Sequence, residues 1–114
     1  MFDYRTTLMS NGITFLLRLE EIIRDRMSNP SATSYTSQLV AAGDKRIAQK
    51  LGEEGVELAL AAVAGDTDEQ LNEAADLVFH LLVLLQQKGL SLGAVSSRLE
   101  QRHNPEVGAA SSRD

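Results

Sequence analysis

Nine consecutive residues, Leu77-Val78-Phe79-His80-Leu81-Leu82-Val83-Leu84-Leu85, carry a single polar side chain among them. Wound as a helix, such a run is apolar on every side, and it must then be buried on every side. It is too short to cross a bilayer. A chain of 114 residues is enough for one domain and offers few other helices to cover this one. Burial against another copy is the simplest remedy, so a homodimer or higher homo-oligomer is expected. The alternative is a monomer whose first and last helices do all the covering.

The rest of the chain also reads as helix. Ala, Leu, Glu and Gln are frequent, there are two prolines, and no alternating β-branched run demands a strand. An all-α bundle of four to five helices is the expected architecture. The spacing predicts helices over about 13–27, from 36 or 37 to Gly43, 45–64, 68–88 and 91–102. Asn29-Pro30 ends the first, and residues 28–36 form a loop. Thr36 or Ser37, Asp44, Thr67 (in a capping box with Gln70) and Ser91 are the expected caps. Gly65-Asp66-Thr67 is a tight turn, and Gly89 stops the long apolar helix. The domain is expected over 12–103, with 1–11 as an extension and 104–114 as a disordered tail.

Composition removes several function classes. The chain has no cysteine, which rules out disulfides, thiolate zinc sites and cysteine nucleophiles within it and suits a reducing cytoplasm. A formal charge of -5 argues against a broad basic surface for nucleic acid. The start, Met1-Phe2-Asp3-Tyr4-Arg5, is unlike a signal peptide. A soluble cytoplasmic protein with no nucleic-acid or membrane partner is expected. Neither a Walker-type glycine loop nor G-x-G-x-x-G is present.

Two acidic motifs carry the chemistry. Glu53-Glu54-Gly55-Val56-Glu57 reads E-E-x-x-E, and Glu73-Ala74-Ala75-Asp76 reads E-x-x-D. Residues i and i+3 share a helix face, about 4.5 Å apart along the axis. If the two helices fold back about Gly65, Glu54 comes level with Asp76 and Glu57 with Glu73. Two like charges about 4 Å apart repel by about 4 kcal/mol at an effective dielectric of 20, so such a cluster calls for a cation. Oxygen-only ligands suit Mg²⁺ or Mn²⁺, and Mg²⁺ commonly shares its shell with substrate phosphates. Both motifs are also ordinary on solvated helix faces, and spacing alone leaves that reading open. Lys45, Arg46 and Lys50, one to two turns earlier, could hold phosphates. Alternatively they are surface charges, with Lys50 pairing Glu53 or Glu54. His80 shares a face with Asp76 and reads foremost as a satisfied core or interface histidine.

Ser34-Tyr35-Thr36, Leu39, Gly43, Lys45, Ile47, Lys50, Gly52-Glu53-Glu54 with Glu57, Glu73-Ala74-Ala75-Asp76-Leu77 and His80-Leu81-Leu82 together resemble the phosphoribosyl-ATP pyrophosphatase family. This is the histidine-biosynthesis branch of the all-α, MazG-related nucleotide pyrophosphatases. The acidic pair marks only that superfamily; the S-Y-T segment and the K-x-x-x-x-K approach point to the family. Gly55 and Phe79 stand where alanine and tyrosine are expected. The resemblance implies Mg²⁺-dependent hydrolysis of phosphoribosyl-ATP to phosphoribosyl-AMP and pyrophosphate. Glu54, Glu57, Glu73 and Asp76 would hold the metal. Glu53, or the metal, would activate water, and Lys45, Lys50 and Arg46 would hold phosphates. Ser34, Tyr35 and Thr36 would lie near the substrate. The rivals are a (d)NTP pyrophosphatase of the same superfamily and a non-catalytic helical module.

Overall fold

A computed structural model describes the backbone of residues 4–104 and the side chains of residues 12–104. Five helices follow in order: α1 Tyr4–Ser28, α2 Tyr35–Ala42, α3 Asp44–Ala64, α4 Thr67–Gln87 and α5 Leu92–His103. No strand occurs among the described residues, so the protein is all-α. α1 begins at Tyr4 and not near residue 13, so part of the expected extension continues the first helix. No proline interrupts residues 4–12, and extending an existing helix adds one hydrogen bond per residue. The expected C-terminal tail, beyond Asn104, lies outside the described residues.

The helix ends depart from the sequence reading in instructive ways. Ser34, not Thr36 or Ser37, caps α2 by accepting from the Ser37 amide. The Ser37 hydroxyl instead accepts from the Ser31 amide at 3.1 Å and donates to the Arg26 carbonyl at 3.2 Å, tying the loop to the end of α1. Gly43, at φ +97°, both closes α2 and opens α3. Asp44 is therefore not a cap but the first residue of α3. Its carboxylate accepts from Lys88 and Gln87, each at 2.9 Å, and the Lys88 bond holds its pKa below the ordinary value.

Asp66, not Thr67, caps α4, accepting from the Glu69 amide at 2.8 Å. Gln70 is consequently free of a capping box, and its amide donates to the Ala61 and Gly65 carbonyls at the end of α3. α4 ends in a Schellman motif, in which the Leu90 amide reaches the Leu85 carbonyl and Gly89 takes φ +73°. Ser91 caps α5 as expected. The Leu92 amide is taken by the buried Glu20 of α1 at 2.7 Å, a partner no spacing rule announces.

Ile23, Leu39, Ile47, Leu82 and Val83 form the core where α1, α2, α3 and α4 meet. Each such side chain contributes about 1.5–3 kcal/mol by burial. α3 and α4 are joined by only Gly65 and Asp66 and make the most extensive packing in the molecule, an antiparallel hairpin. Among the described residues no single helix is long and apolar enough to cross a membrane.

The apolar run of α4 is covered in part by its own chain. Within one chain α1, α2 and α3 bury His80, Leu82, Val83 and Leu85 and leave Leu77, Val78, Phe79, Leu81 and Leu84 half-buried. Exposed apolar side chains lie elsewhere: Ile13, Phe15 and Leu17 on α1, Val56, Leu60 and Val63 on α3, and Leu71 on α4.

Candidate metal centre

The α3/α4 hairpin brings three carboxylates together. Glu54 and Glu57 share a face of α3, and Glu73 meets them from α4. One oxygen of each lies within 4.8 Å of the others. Glu57 and Glu73 face each other across the hairpin, where a proton on one carboxyl can bond to the other. Two ionised carboxylates have no proton to share, so this contact favours the protonated form of one of them. The Glu73 carboxyl is accordingly pushed above the ordinary glutamate range. The Glu57 bond is the main cause, followed by burial and the charges of Glu57, Asp76 and Glu54.

Burial sharpens the electrostatic problem. Glu54 is 6% exposed. Its Oε2 and the Oε2 of Glu73 are buried without any hydrogen-bond partner. An unpaired buried acceptor costs about 1–3 kcal/mol, more when charged. The nearest positive charge is Lys50, 3.6 Å from Glu54 Oε1 and 3.4 Å from Glu53 Oε1. One ammonium shared between two carboxylates leaves the cluster net negative. The donor set is all oxygen and partly dry, and it has two unsatisfied lone-pair-bearing atoms. These residues fit a hard divalent cation. A cavity of about 330 Å³, lined by Glu57, Ala61, Gly65, Glu69 and Glu73 among others, lies on the turn side of the cluster.

The other sequence candidates fall into three groups. Asp76 is solvent-exposed, stands outside the three-carboxylate cluster and acts on Glu73 through its charge. Glu53 accepts from Gln49 at 3.0 Å and faces Lys50, so it flanks the cluster without joining it. Lys45 and Arg46 are exposed on the first turn of α3, with Arg46 donating to Gln49 at 3.2 Å. Ser34 spends its hydroxyl on the α2 cap, and Thr36 is buried. Tyr35 donates to His80 Nε2 at 2.9 Å, and His80 Nδ1 meets the Asp76 carbonyl at 2.7 Å. His80 is thus a satisfied buried histidine, as its place in the sequence suggests. Its pairing with Tyr35, 45 residues away, has no signal in spacing.

The sequence is similar to those of known proteins. A protein-family model described as phosphoribosyl-ATP pyrophosphohydrolase matches residues 16–103. The chain is 52% identical over 93 residues to the histidine biosynthesis bifunctional protein HisIE of Photobacterium profundum, which is 82% of this chain and 45% of that protein. It is 56% identical over 89 residues to the protein of the same name from Escherichia coli K12, covering 78% of this chain and 44% of that one. For the Yersinia pestis protein the identity is 54% over 90 residues, 79% and 44% of the two chains. The chain therefore spans less than half the length of the curated relatives it matches. By this match over most of its helical body, the chain belongs to the phosphoribosyl-ATP pyrophosphohydrolase family.

Proposed function

We propose that this protein hydrolyses phosphoribosyl-ATP to phosphoribosyl-AMP and pyrophosphate, a step of histidine biosynthesis, with Mg²⁺ as its metal. The observation that carries this reading is the cluster of Glu54, Glu57 and Glu73, with two buried unpaired oxygens, in a member of this family. Glu54, Glu57 and Glu73 hold the ion, and Asp76, one turn along α4, completes the set. Mn²⁺ is the natural substitute for an all-oxygen site. An ion held there would neutralise phosphate charge and polarise the anhydride.

The chain's own residues supply the rest. Lys50, at the rim of the cluster, takes a phosphate oxygen, and Lys45 and Arg46 extend the positive charge along α3. Glu53, oriented by Gln49 and Lys50, accepts the proton of the attacking water. The water oxygen bonds to the α-phosphorus, the bond from that phosphorus to the α,β-bridging oxygen breaks, and pyrophosphate leaves with the electron pair. Ser34, Tyr35 and Thr36, at the start of α2, border the nucleoside side. Residues 12–103 form the catalytic domain. The working form is a homodimer or higher oligomer in the cytoplasm, a reading in keeping with the exposed apolar side chains of α1 and α3.

The test is pyrophosphate release from phosphoribosyl-ATP, with Mg²⁺ and with a chelator. Glu54→Gln should lower kcat by at least about a hundredfold, the scale of losing one preorganised charge-stabilising group. Faster release from a dNTP would transfer the assignment to a house-cleaning pyrophosphatase. Turnover unaffected by chelation, or by Glu54→Gln, would reject the carboxylate site.

A further inference from the structure

A carbonyl oxygen can only accept, so the contact between His80 Nδ1 and the Asp76 carbonyl puts the imidazole proton on Nδ1. In the neutral ring Nε2 then offers only a lone pair, and the Tyr35 phenol donates to it. His80 is buried with both nitrogens engaged. Tyr35 is its opposite: 47% exposed, yet with its hydroxyl proton committed. The ring is braced edge-on by His80, with centroids 5.7 Å apart, and by Phe79, tilted 30° at 6.1 Å. Among the described residues no other side-chain hydrogen bond joins α2 to α4. The histidine that receives the phenol is itself tied to the Asp76 carbonyl, one turn along α4 from Glu73, and Lys50 lies 3.6 Å from Glu54 on the facing helix. An open aromatic surface, held rigid from behind, is therefore tied to the turn of α4 that carries Asp76 and Glu73.

Resting on the function proposed above, we propose that His80 is a positioning residue. Through its bond to the phenol it holds Tyr35 as the platform against which the purine of the substrate packs. With the phosphates at the carboxylates and Lys50, the nucleoside is the next part of the ligand to need a surface. A purine presents a flat π-face, and an immobilised tyrosine ring meets it without losing rotamer freedom on binding. The buried histidine supplies that immobility across two helices.

The experiment is steady-state kinetics on the whole chain with phosphoribosyl-ATP and Mg²⁺. Tyr35→Phe removes the tie and keeps the ring; His80→Phe removes the tie from the other side. Each should raise KM about tenfold, the worth of one well-placed hydrogen bond, and leave kcat within about twofold. The double variant should match either single one, because both remove the same bond. His80→Gln, which restores an acceptor, should recover part of the loss. Tyr35→Leu, which removes the ring, should raise KM further than Tyr35→Phe. Should His80→Phe fail to fold, the two Tyr35 variants decide the matter. An unmoved KM in Tyr35→Phe, a fall in kcat alone, or single effects that multiply would overturn the platform. Wild-type protein unable to hydrolyse phosphoribosyl-ATP would reject the proposed function and the platform with it. Wild-type turnover with KM unmoved in Tyr35→Phe would reject the platform alone.

Discussion

Gly55 stands inside α3 between two of the clustered acids, and nothing lies within 4 Å of where its Cβ would be. Alanine is expected at this position by resemblance, and the fold leaves room for it. Gly55→Ala should therefore stabilise the protein by about 0.5–1 kcal/mol in urea denaturation. A loss of stability would mean that the helix needs the glycine. Glu73 makes the opposite case. Its carboxyl titrates above the ordinary value of 4.5, chiefly through its bond to Glu57. Below about 4.5 both folded and unfolded forms are protonated, and above the raised value the folded form alone carries the repulsion. Metal-free protein should thus lose thermal stability as pH rises through that window. Glu73→Gln should reduce the slope and raise the melting temperature near neutrality. An unchanged slope in the variant would show that other groups set it. The i,i+3 spacing of these acids was legible in the sequence. Which oxygens end up buried without partners was not, because that depends on what the opposite helix places over them.

The α3/α4 hairpin is the element that builds the site, and its turn is the most exacting segment of backbone. A Cβ at Gly65 would stand 2.9 Å from the Ala61 carbonyl oxygen, a contact with backbone that cannot swing aside. Asp66 supplies the cap of α4, whereas Thr67 stands one residue inside it. Asp66→Ala should cost about 1 kcal/mol, and Thr67→Ala should stay within about 0.5 kcal/mol. Equal effects in thermal or urea denaturation would contradict this capping scheme. The existence of the two helices and the glycine between them followed from periodicity and turn chemistry. The choice of Asp66 over Thr67 did not. Both side chains cap well, and the difference of one residue is decided by how tightly α4 folds back on α3.

For the molecule as a whole, the apolar run of α4 is covered in part by its own chain, while Val63 is 87% and Leu60 64% exposed on α3, with Phe15 and Leu17 open on α1. If these surfaces meet in a homo-oligomer, sedimentation should show a dimer or larger species. Charged replacements such as Leu17→Glu with Val63→Glu should shift it toward monomer. A wild-type monomer at micromolar concentration would reject the oligomer.

By itself the sequence determined that this chain is all-α, where its helices run within a few residues apart from the start of α1, and that two acidic motifs lie symmetrically about Gly65. Helical periodicity, glycine and proline act locally, and each can be read from near neighbours. Only the tertiary structure decided which acids come together and which of their oxygens are buried, that Asp76 stands apart from them, that Tyr35 and His80 meet, and which apolar face is left uncovered. Those outcomes depend on how helices distant in sequence press together, and a side chain's charge, partner and exposure are set by what arrives from the other side.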